Sequence, residues 1–361
     1  MPKHHSTIII GAGLSGLYAA WKLYLQKKDV IVLEARERSG GRILSDNSGA
    51  AGNNLVDSNI DLGPSWIWPQ FQPRLTQLIN HLGLSLFKQF TQGDKLYETD
   101  GQNCERYNDQ SAHSDSYRIV GGGVKLVNEL ISHLPESTIK LNTKVIAIKQ
   151  LPLSVSTLSN GQMREYTADK IILAMPPRLS EQSIEFTPPL STETKQLWRS
   201  TPTWMAAHSK VVFIYDKPFW REQNLSGEVF SHIGPLSEIY DGSPANEEYF
   251  ALTCFVGLNA NQRKQIPKAQ FKTLCLAQLN RLFGKESQQI KHTLIKDWSF
   301  DNFTANETDI NAVAQHPQFP ANATRTLWDG KLILAGSEVA REHGGYLEGA
   351  LESADEAFVL V

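Results

Sequence analysis

Three glycines near the N-terminus have the spacing of a dinucleotide-binding loop. Gly11, Gly13 and Gly16 form the pattern G-x-G-x-x-G between a short apolar run and a helical pattern. Such glycines allow a tight turn, and the free N–H groups at the start of the following helix attract a pyrophosphate. Glu34 ends the next apolar run, about 20 residues on, where an acidic side chain accepts hydrogen bonds from a ribose hydroxyl. Gly11, Gly13, Ser15, Gly16 and Glu34 are therefore predicted to bind a nucleotide cofactor.

A second glycine-containing loop follows Glu34. Residues 35–42 read Ala-Arg-Glu-Arg-Ser-Gly-Gly-Arg, with two glycines between arginines. We expect this loop to fold close to the same phosphates, so that Arg36 and Arg42 neutralise their charge. The alternative is a solvated basic turn.

The spacing of apolar residues predicts the elements that position these loops. Residues 7–10 and Val30–Leu33 are predicted strands, and Leu14–Leu25 between them has the period of a helix. Together they form a βαβ unit with a right-handed crossover. Other predicted helices lie near 74–81, 121–133, 268–283 and 346–358, and other strands near 138–148, 153–158, 170–174, 211–215, 249–256 and 332–335.

The length of 361 residues favours two domains. The α/β pattern of the N-terminus returns in the middle of the chain and at its end, whereas the aromatic-rich remainder differs. We expect residues 1–70, 118–178 and 326–361 to form one discontinuous domain. Residues 71–117 and 179–325 would form a second, inserted domain.

The composition excludes several classes of protein. Lysine plus arginine number 35 and aspartate plus glutamate 38, so the net charge is −3. Without a strong positive field, nucleic acid and membrane surfaces are poor partners. The cysteines form no CxxC pair, no stretch approaches the length of a membrane span, and a strand follows too closely on Met1 for a signal peptide. We therefore expect a cytoplasmic protein without a metal site, with His4 and His5 in a disordered tip.

From end to end, the chain resembles the flavin-containing monoamine oxidase family. Residues 8–42 match the family's opening signature nearly throughout, and residues 61–66, 120–123, 169–177, 335–338 and 344–350 resemble later family segments in the same order. The resemblance implies an α/β fold with a Rossmann-like FAD-binding domain and a discontinuous, inserted substrate domain of mixed sheet and helices. It implies FAD as the cofactor, and adds these contacts with it: Ala35, Gly63, Pro64, Ser65, Trp66, Val145, Glu338, Gly345, Tyr346, Leu347 and Ala350.

The chemistry of this family assigns roles to residues of the second half. Its members pass a hydride from the carbon beside an amine nitrogen to flavin N5, and oxygen reoxidises the flavin with formation of hydrogen peroxide. Lys210 occupies the position of the family lysine near N5, where a cation would stabilise negative charge on the reduced flavin. Tyr346 corresponds to one aromatic wall of the amine site. Trp298 corresponds to the tryptophan that precedes the opposite wall.

Departures from the family pattern limit what the resemblance implies. Glu307 stands where monoamine oxidases carry the cysteine bonded to flavin, so we expect non-covalent FAD. Thr308 stands where the second ring would be, so we expect an incomplete aromatic cage. Trp66 replaces the carboxylate-binding arginine of amino-acid oxidases, which argues against an L-amino acid substrate.

The length of two segments also departs from the family. The segment between Trp66 and Gly121 is short, so we expect a pocket that is open or completed by a second subunit of a homo-oligomer. The chain ends at Val361, soon after the closing signature, so we expect no C-terminal membrane anchor.

Three hypotheses for the function remain open at this point. The first is oxidation of a small-molecule primary or secondary amine, with molecular oxygen as the second substrate. The second is FAD-dependent desaturation of an apolar, non-amine substrate on the same fold. The third is a non-catalytic accessory flavoprotein. Lys210 and Tyr346 favour the first.

Overall fold

The structure, a computed structural model, describes residues 2–46, 59–101, 103–108, 113, 115–312 and 314–361. Its strands are β1 (Lys3–Ile10), β2 (Val30–Leu33), β3 (Ser45–Asp46), β4 (Ile60–Asp61), β5 (Leu86–Lys88), β6 (Asp94–Glu98), β7 (Cys104–Tyr107), β8 (Tyr117–Ile119), β9 (Ile139–Lys140), β10 (Lys144–Gln150), β11 (Leu153–Ser159), β12 (Gln162–Ala174), β13 (Glu185–Thr187), β14 (Ser209–Tyr215), β15 (Leu225–Ser231), β16 (Leu236–Asp241), β17 (Phe250–Val256), β18 (His292–Asp297), β19 (Thr326–Leu327) and β20 (Leu332–Ala335). Its α-helices are α1 (Leu14–Leu25), α2 (Pro73–His81), α3 (Val124–Ser132), α4 (Pro177–Ser183), α5 (Thr192–Ser200), α6 (Phe219–Glu222), α7 (Ala260–Lys264), α8 (Lys268–Phe283), α9 (Glu307–Asn311) and α10 (Leu347–Val359).

A largely parallel first sheet carries both ends of the chain. β1 pairs in parallel with β2 and β12, and β20 joins β12 on its other side. Every residue of β2 and β20 is buried, which is typical of parallel strands covered on both faces. The helix α1 packs against α10, so the N-terminal and C-terminal segments meet on one face of this sheet. The predicted Rossmann-like α/β fold is therefore confirmed.

The second sheet has the order β18-β14-β17-β16-β15-β6-β7 and is antiparallel except where β15 meets β6. One face packs on α8 through an apolar cluster that includes Val211, Cys254 and Leu279. The opposite face contributes Val212 and Ile214 to contacts with Ile60 and Leu62. The second sheet thus turns this opposite face toward the first half of the chain.

Most predicted elements are present, and two predictions need correction. The prediction of a disordered tip at His4 and His5 is wrong, because both residues belong to β1. His5 is buried, and its Nδ1 atom lies 3.0 Å from the Asp29 carboxylate. The strand predicted near 170–174 begins earlier, at Gln162, because its first half pairs with β11.

The predicted domain boundaries stay a prediction. β13 and β19 both pair within the first sheet. Among the described residues, no helix has the length and apolar character that a membrane crossing requires.

Candidate active site

A cavity of about 820 Å³ is lined by residues of both sheets. It runs from the glycine loop after β1 to the strands β16 and β17. All residues predicted to bind cofactor or substrate line its described wall except Gly16: Gly11, Gly13, Ser15, Glu34, Ala35, Arg36, Arg42, Gly63, Pro64, Ser65, Trp66, Val145, Lys210, Trp298, Glu338, Gly345, Tyr346, Leu347 and Ala350. The structure therefore brings together residues that are far apart in sequence.

The glycine loop turns sharply between β1 and α1. Gly11 has a φ of 103°, a left-handed conformation that favours glycine. A Cβ atom on Gly16 would lie only 2.0 Å from the Gly11 carbonyl oxygen, so Gly16 allows the helix to close against the loop. A Cβ atom on Gly13 would meet nothing within 4 Å. Gly16 is therefore required by packing, whereas Gly13 leaves open space at the cavity wall.

Polar groups at this end of the cavity lack protein partners. α1 begins at Leu14, and its N-cap Gly13 supplies no side-chain cap, so the first N–H groups of the helix need another acceptor. Within the described residues, the Ser15 hydroxyl and the Arg36 Nε atom are buried without a hydrogen-bond partner. Buried polar groups without partners carry a free-energy penalty. A phosphate-bearing cofactor would supply the missing acceptors, so this end of the cavity fits a dinucleotide.

Glu34 ties the two loops together. Its carboxylate accepts hydrogen bonds from the backbone N–H groups of Ala12 (2.7 Å) and Arg36 (2.9 Å). The side chain is buried and therefore fixed. The contact of Glu34 with a ribose stays a prediction. Its hydrogen bonds to Ala12 and Arg36 give it a structural role in addition.

Two of the three arginines of the second loop, Arg36 and Arg42, are already paired with carboxylates. Arg36 donates to the Asp301 carboxylate at 2.7 Å. Arg42 lies 2.7 Å from the Glu338 carboxylate and also donates to the Trp204 carbonyl. The arginines therefore link the second loop to the C-terminal half of the chain, and their net charge toward a cofactor is smaller than the sequence indicates.

Lys210 lies on β14 and is buried. Its Nζ atom donates to the carbonyl of Gly63 at 2.6 Å, to the Ser65 hydroxyl at 3.0 Å and to the Asp61 carbonyl at 3.3 Å. Burial lowers the pKa of Lys210 to about 8. The ammonium group thus fixes the 61–65 segment and places a cation in the cavity wall.

Trp298 and Tyr346 have different surroundings. Trp298 is buried, and its Nε1 atom donates to the Leu62 carbonyl at 3.1 Å. Tyr346 is 40% exposed and stacks on His316, with ring centroids 4.7 Å apart. Trp204 also stacks on His316, with ring centroids 3.6 Å apart. Thr308 lies in α9, and neither Thr308 nor His316 belongs to the described cavity wall.

The far end of the cavity is aromatic, and apart from Trp66 its residues were not predicted from the sequence. Trp66 lies 4.3 Å from His113 and 5.0 Å from Tyr240, measured between ring centroids. Phe255 and Glu238 also line this end. Burial lowers the pKa of His113 to about 4, so its imidazole is neutral at neutral pH.

Other wall residues were also missed. Leu179 lies in α4, and the others lie at the ends of strands or in loops: Met175, Trp204, His208, Asn302 and Phe303. The sequence offered two signals for part of this set: the Pro176–Pro177 pair that follows β12, and His208, two residues before Lys210. Burial, and then the charge of Arg263, lowers the pKa of His208. In the described part of the chain, no three His, Cys, Asp or Glu side chains are grouped as metal ligands.

Comparison with known proteins identifies similar chains. A family model for flavin containing amine oxidoreductases matches residues 14–113 and 104–357. The flavin-containing amine oxidase B of Mus musculus is 24% identical, with 99% of this chain and 86% of the relative covered. A solved putrescine oxidase bound to putrescine has a TM-score of 0.83 at 21% identity, covering 99% of both chains. Cyclohexylamine oxidase from Brevibacterium oxydans has a TM-score of 0.80 at 19% identity, covering 98% of both chains. At these identities, the two solved structures show a shared fold.

Proposed function

Because the chain belongs to the flavin-containing amine oxidoreductase family, we propose that it oxidises a small amine to an imine with non-covalently bound FAD, and that oxygen is the electron acceptor and yields hydrogen peroxide. The observation that carries the proposal is the cavity, which joins the glycine loop to a pocket of aromatic rings. The bound flavin would accept a hydride from the carbon beside the amine nitrogen.

Residues at both ends of the chain would hold FAD. The first turn of α1, with Gly13 and Ser15, would accept the pyrophosphate. Glu34 and Val145 line the part of the cavity where a nucleoside would bind, and the 63–66 segment with Tyr346 lines the part nearer the rings. All three cysteines are described and none lines the cavity, which supports a non-covalent cofactor.

The rings of the pocket would position the amine and favour its neutral form. An apolar wall penalises a charged ammonium, and the neutral nitrogen is the form that can release hydride. Tyr346 lines the cavity, where the electron density of its ring would orient the nitrogen. Lys210 would hold a positive charge in the same wall and favour negative charge beside it. A cytoplasmic location and a homo-oligomeric state stay predictions.

A visible spectrum tests the proposal directly. The purified protein should show an oxidised flavin band that denaturation releases as free FAD. Under anaerobic conditions, an amine substrate should bleach the band, and air should restore it with formation of peroxide. A flavin band that no amine changes would overturn the proposed oxidation, and a protein that binds no flavin would overturn the cofactor assignment.

The low pKa of Lys210 predicts a pH dependence near neutrality. Below pH 8 the ammonium is protonated, and the cation is lost as the pH rises through about 8. The rate of flavin reoxidation by air should therefore fall above pH 8, because the positive charge beside the flavin disappears. Stopped-flow reoxidation between about pH 6 and pH 10 measures it. Flavin reoxidation in the variant Lys210→Met should be slow at every pH. If the variant kept the fall in rate above pH 8 that is expected for the wild type, the assignment to Lys210 would be contradicted.

A further inference from the structure

The cavity wall contains a carboxylate that has no cationic partner in the described part of the chain. Glu238 lies on β16 and lines the cavity at the aromatic end. Its Oε2 atom accepts a hydrogen bond from the Tyr240 hydroxyl at 2.7 Å. The other carboxylate oxygen is left for a ligand. Glu238 is only half-buried, so its carboxylate faces the cavity beside the aromatic rings.

Strand register places Glu238 in line with Lys210. Lys210 pairs with Phe255 across β14 and β17, and Phe255 pairs with Glu238 across β17 and β16. Directly paired residues project from the same face of a sheet. Lys210 and Glu238 therefore lie on one face, separated by two strand spacings, or about 10 Å. The row has a cation at one end, a phenyl ring in the middle and an anion at the other end.

A second carboxylate reinforces the negative end of this row. Glu228 lies on the neighbouring strand β15 and is only 4% exposed. Among the described residues, its Oε1 atom is buried without a hydrogen-bond partner. Burial, together with the charges of Glu238 and Glu228, raises the pKa of Tyr240 far above its ordinary value. The Tyr240 hydroxyl therefore stays protonated and donates to Glu238, while both carboxylates make this end of the cavity attractive to a cation.

The rings between the two ends suit an alkyl chain and an ammonium group. Phe255 and Trp66 lie 5.9 Å apart between centroids, beside Glu238 and its neighbour Tyr240. Their faces provide apolar contact and attract cations. His113, which completes this wall, is neutral at neutral pH and does not repel a cation. Lys210, in contrast, disfavours a cation at the opposite end.

From this arrangement, and resting on the amine oxidation proposed above, we propose that the substrate is an amine with a second cationic group, such as a linear α,ω-diamine. Glu238 binds the ammonium that does not react. Glu228, which is buried on the neighbouring strand β15, adds negative potential at the same end of the cavity. The reacting nitrogen lies toward Lys210, whose charge favours the neutral form of the amine. Glu238 is thus a specificity-determining residue, since it selects diamines over monoamines of the same length.

The test compares a homologous series of linear α,ω-diamines with the n-alkylamines of matching length. The wild-type enzyme should oxidise the best diamine with a higher kcat/KM than its matching monoamine. Glu238→Gln should lower kcat/KM for the diamine about 10- to 100-fold, because a charge-assisted contact is lost, and should leave the monoamine nearly unchanged. The glutamine amide oxygen keeps an acceptor for Tyr240, so the variant should fold and bind flavin normally.

Further variants keep the test selective. Glu228→Gln should weaken diamine preference in the same direction but less, because Glu228 does not line the described cavity wall. The exposed Glu222 offers a matched control, and Glu222→Gln should leave both substrates unaffected. Equal losses for diamine and monoamine in Glu238→Gln, or a wild-type enzyme without diamine preference, would overturn the inference while amine oxidation stands. Failure to oxidise any amine would instead overturn the proposed function.

Discussion

Gly16→Ala should destabilise the protein by about 1 to 3 kcal/mol or more, and the purified variant should contain little flavin. The reason is steric: the new Cβ atom would lie 2.0 Å from the Gly11 carbonyl oxygen, which belongs to the backbone and cannot rotate away. Either α1 shifts along β1 or the glycine loop opens, and both changes move the first helical N–H groups from the cavity. Chemical denaturation of the apoprotein and the flavin-to-protein absorbance ratio measure the two effects.

Gly13→Ala is the matched comparison for this variant. Gly13 has extended backbone angles that alanine adopts, and its Cβ atom would meet nothing within 4 Å. The apoprotein should therefore keep its stability, whereas flavin affinity should fall because a methyl group occupies the space at the cavity wall. Gly101→Ala, which also meets nothing within 4 Å, should change neither quantity. If Gly16→Ala were as stable and as rich in flavin as the wild type, the close packing of α1 against the loop would be refuted.

Lys210→Met should reduce turnover per bound flavin about 100-fold or more, the range found when a preorganised electrostatic contact is removed from an active site. The substitution keeps much of the side-chain volume and removes the charge. It also removes the donor to the Gly63 carbonyl and the Ser65 hydroxyl, so we expect a further loss of about 1 to 3 kcal/mol in stability. Steady-state kinetics normalised to flavin content separate the two effects.

A surface lysine provides the control for charge removal. Lys291 pairs with Asp216 and is 56% exposed, so Lys291→Met should have normal turnover and nearly normal stability. Measuring both stability and turnover in Lys210→Met distinguishes a catalytic from a structural role of Lys210. If the variant lost stability but kept normal turnover per flavin, Lys210 would only stabilise the 61–65 segment. That result would contradict its catalytic role.

Much of the fold and one end of the site follow from local sequence signals. The helix Leu14–Leu25 and the strand Val30–Leu33 are confirmed with the predicted boundaries, and the run before Gly11 is confirmed as a strand. These signals are strong because glycine conformation, helix period and strand burial act over a few neighbouring residues. The start of the N-terminal strand was predicted wrongly. His4 and His5 are polar, which favoured a disordered tip, and the contact of His5 with Asp29 is not visible in the sequence.

The aromatic end of the cavity depended on tertiary structure. Glu238 and Phe255 are neighbours because of the register in which β16 pairs with β17. The register between two strands has no local sequence signal. The same holds for His316, which stacks on Tyr346 from a loop distant in sequence. The sequence by itself determined the family and the glycine loop between β1 and α1, because these depend on short motifs. Only the tertiary structure decided which side chains line the aromatic end of the cavity, because that wall is assembled from residues that become neighbours only when both sheets have formed.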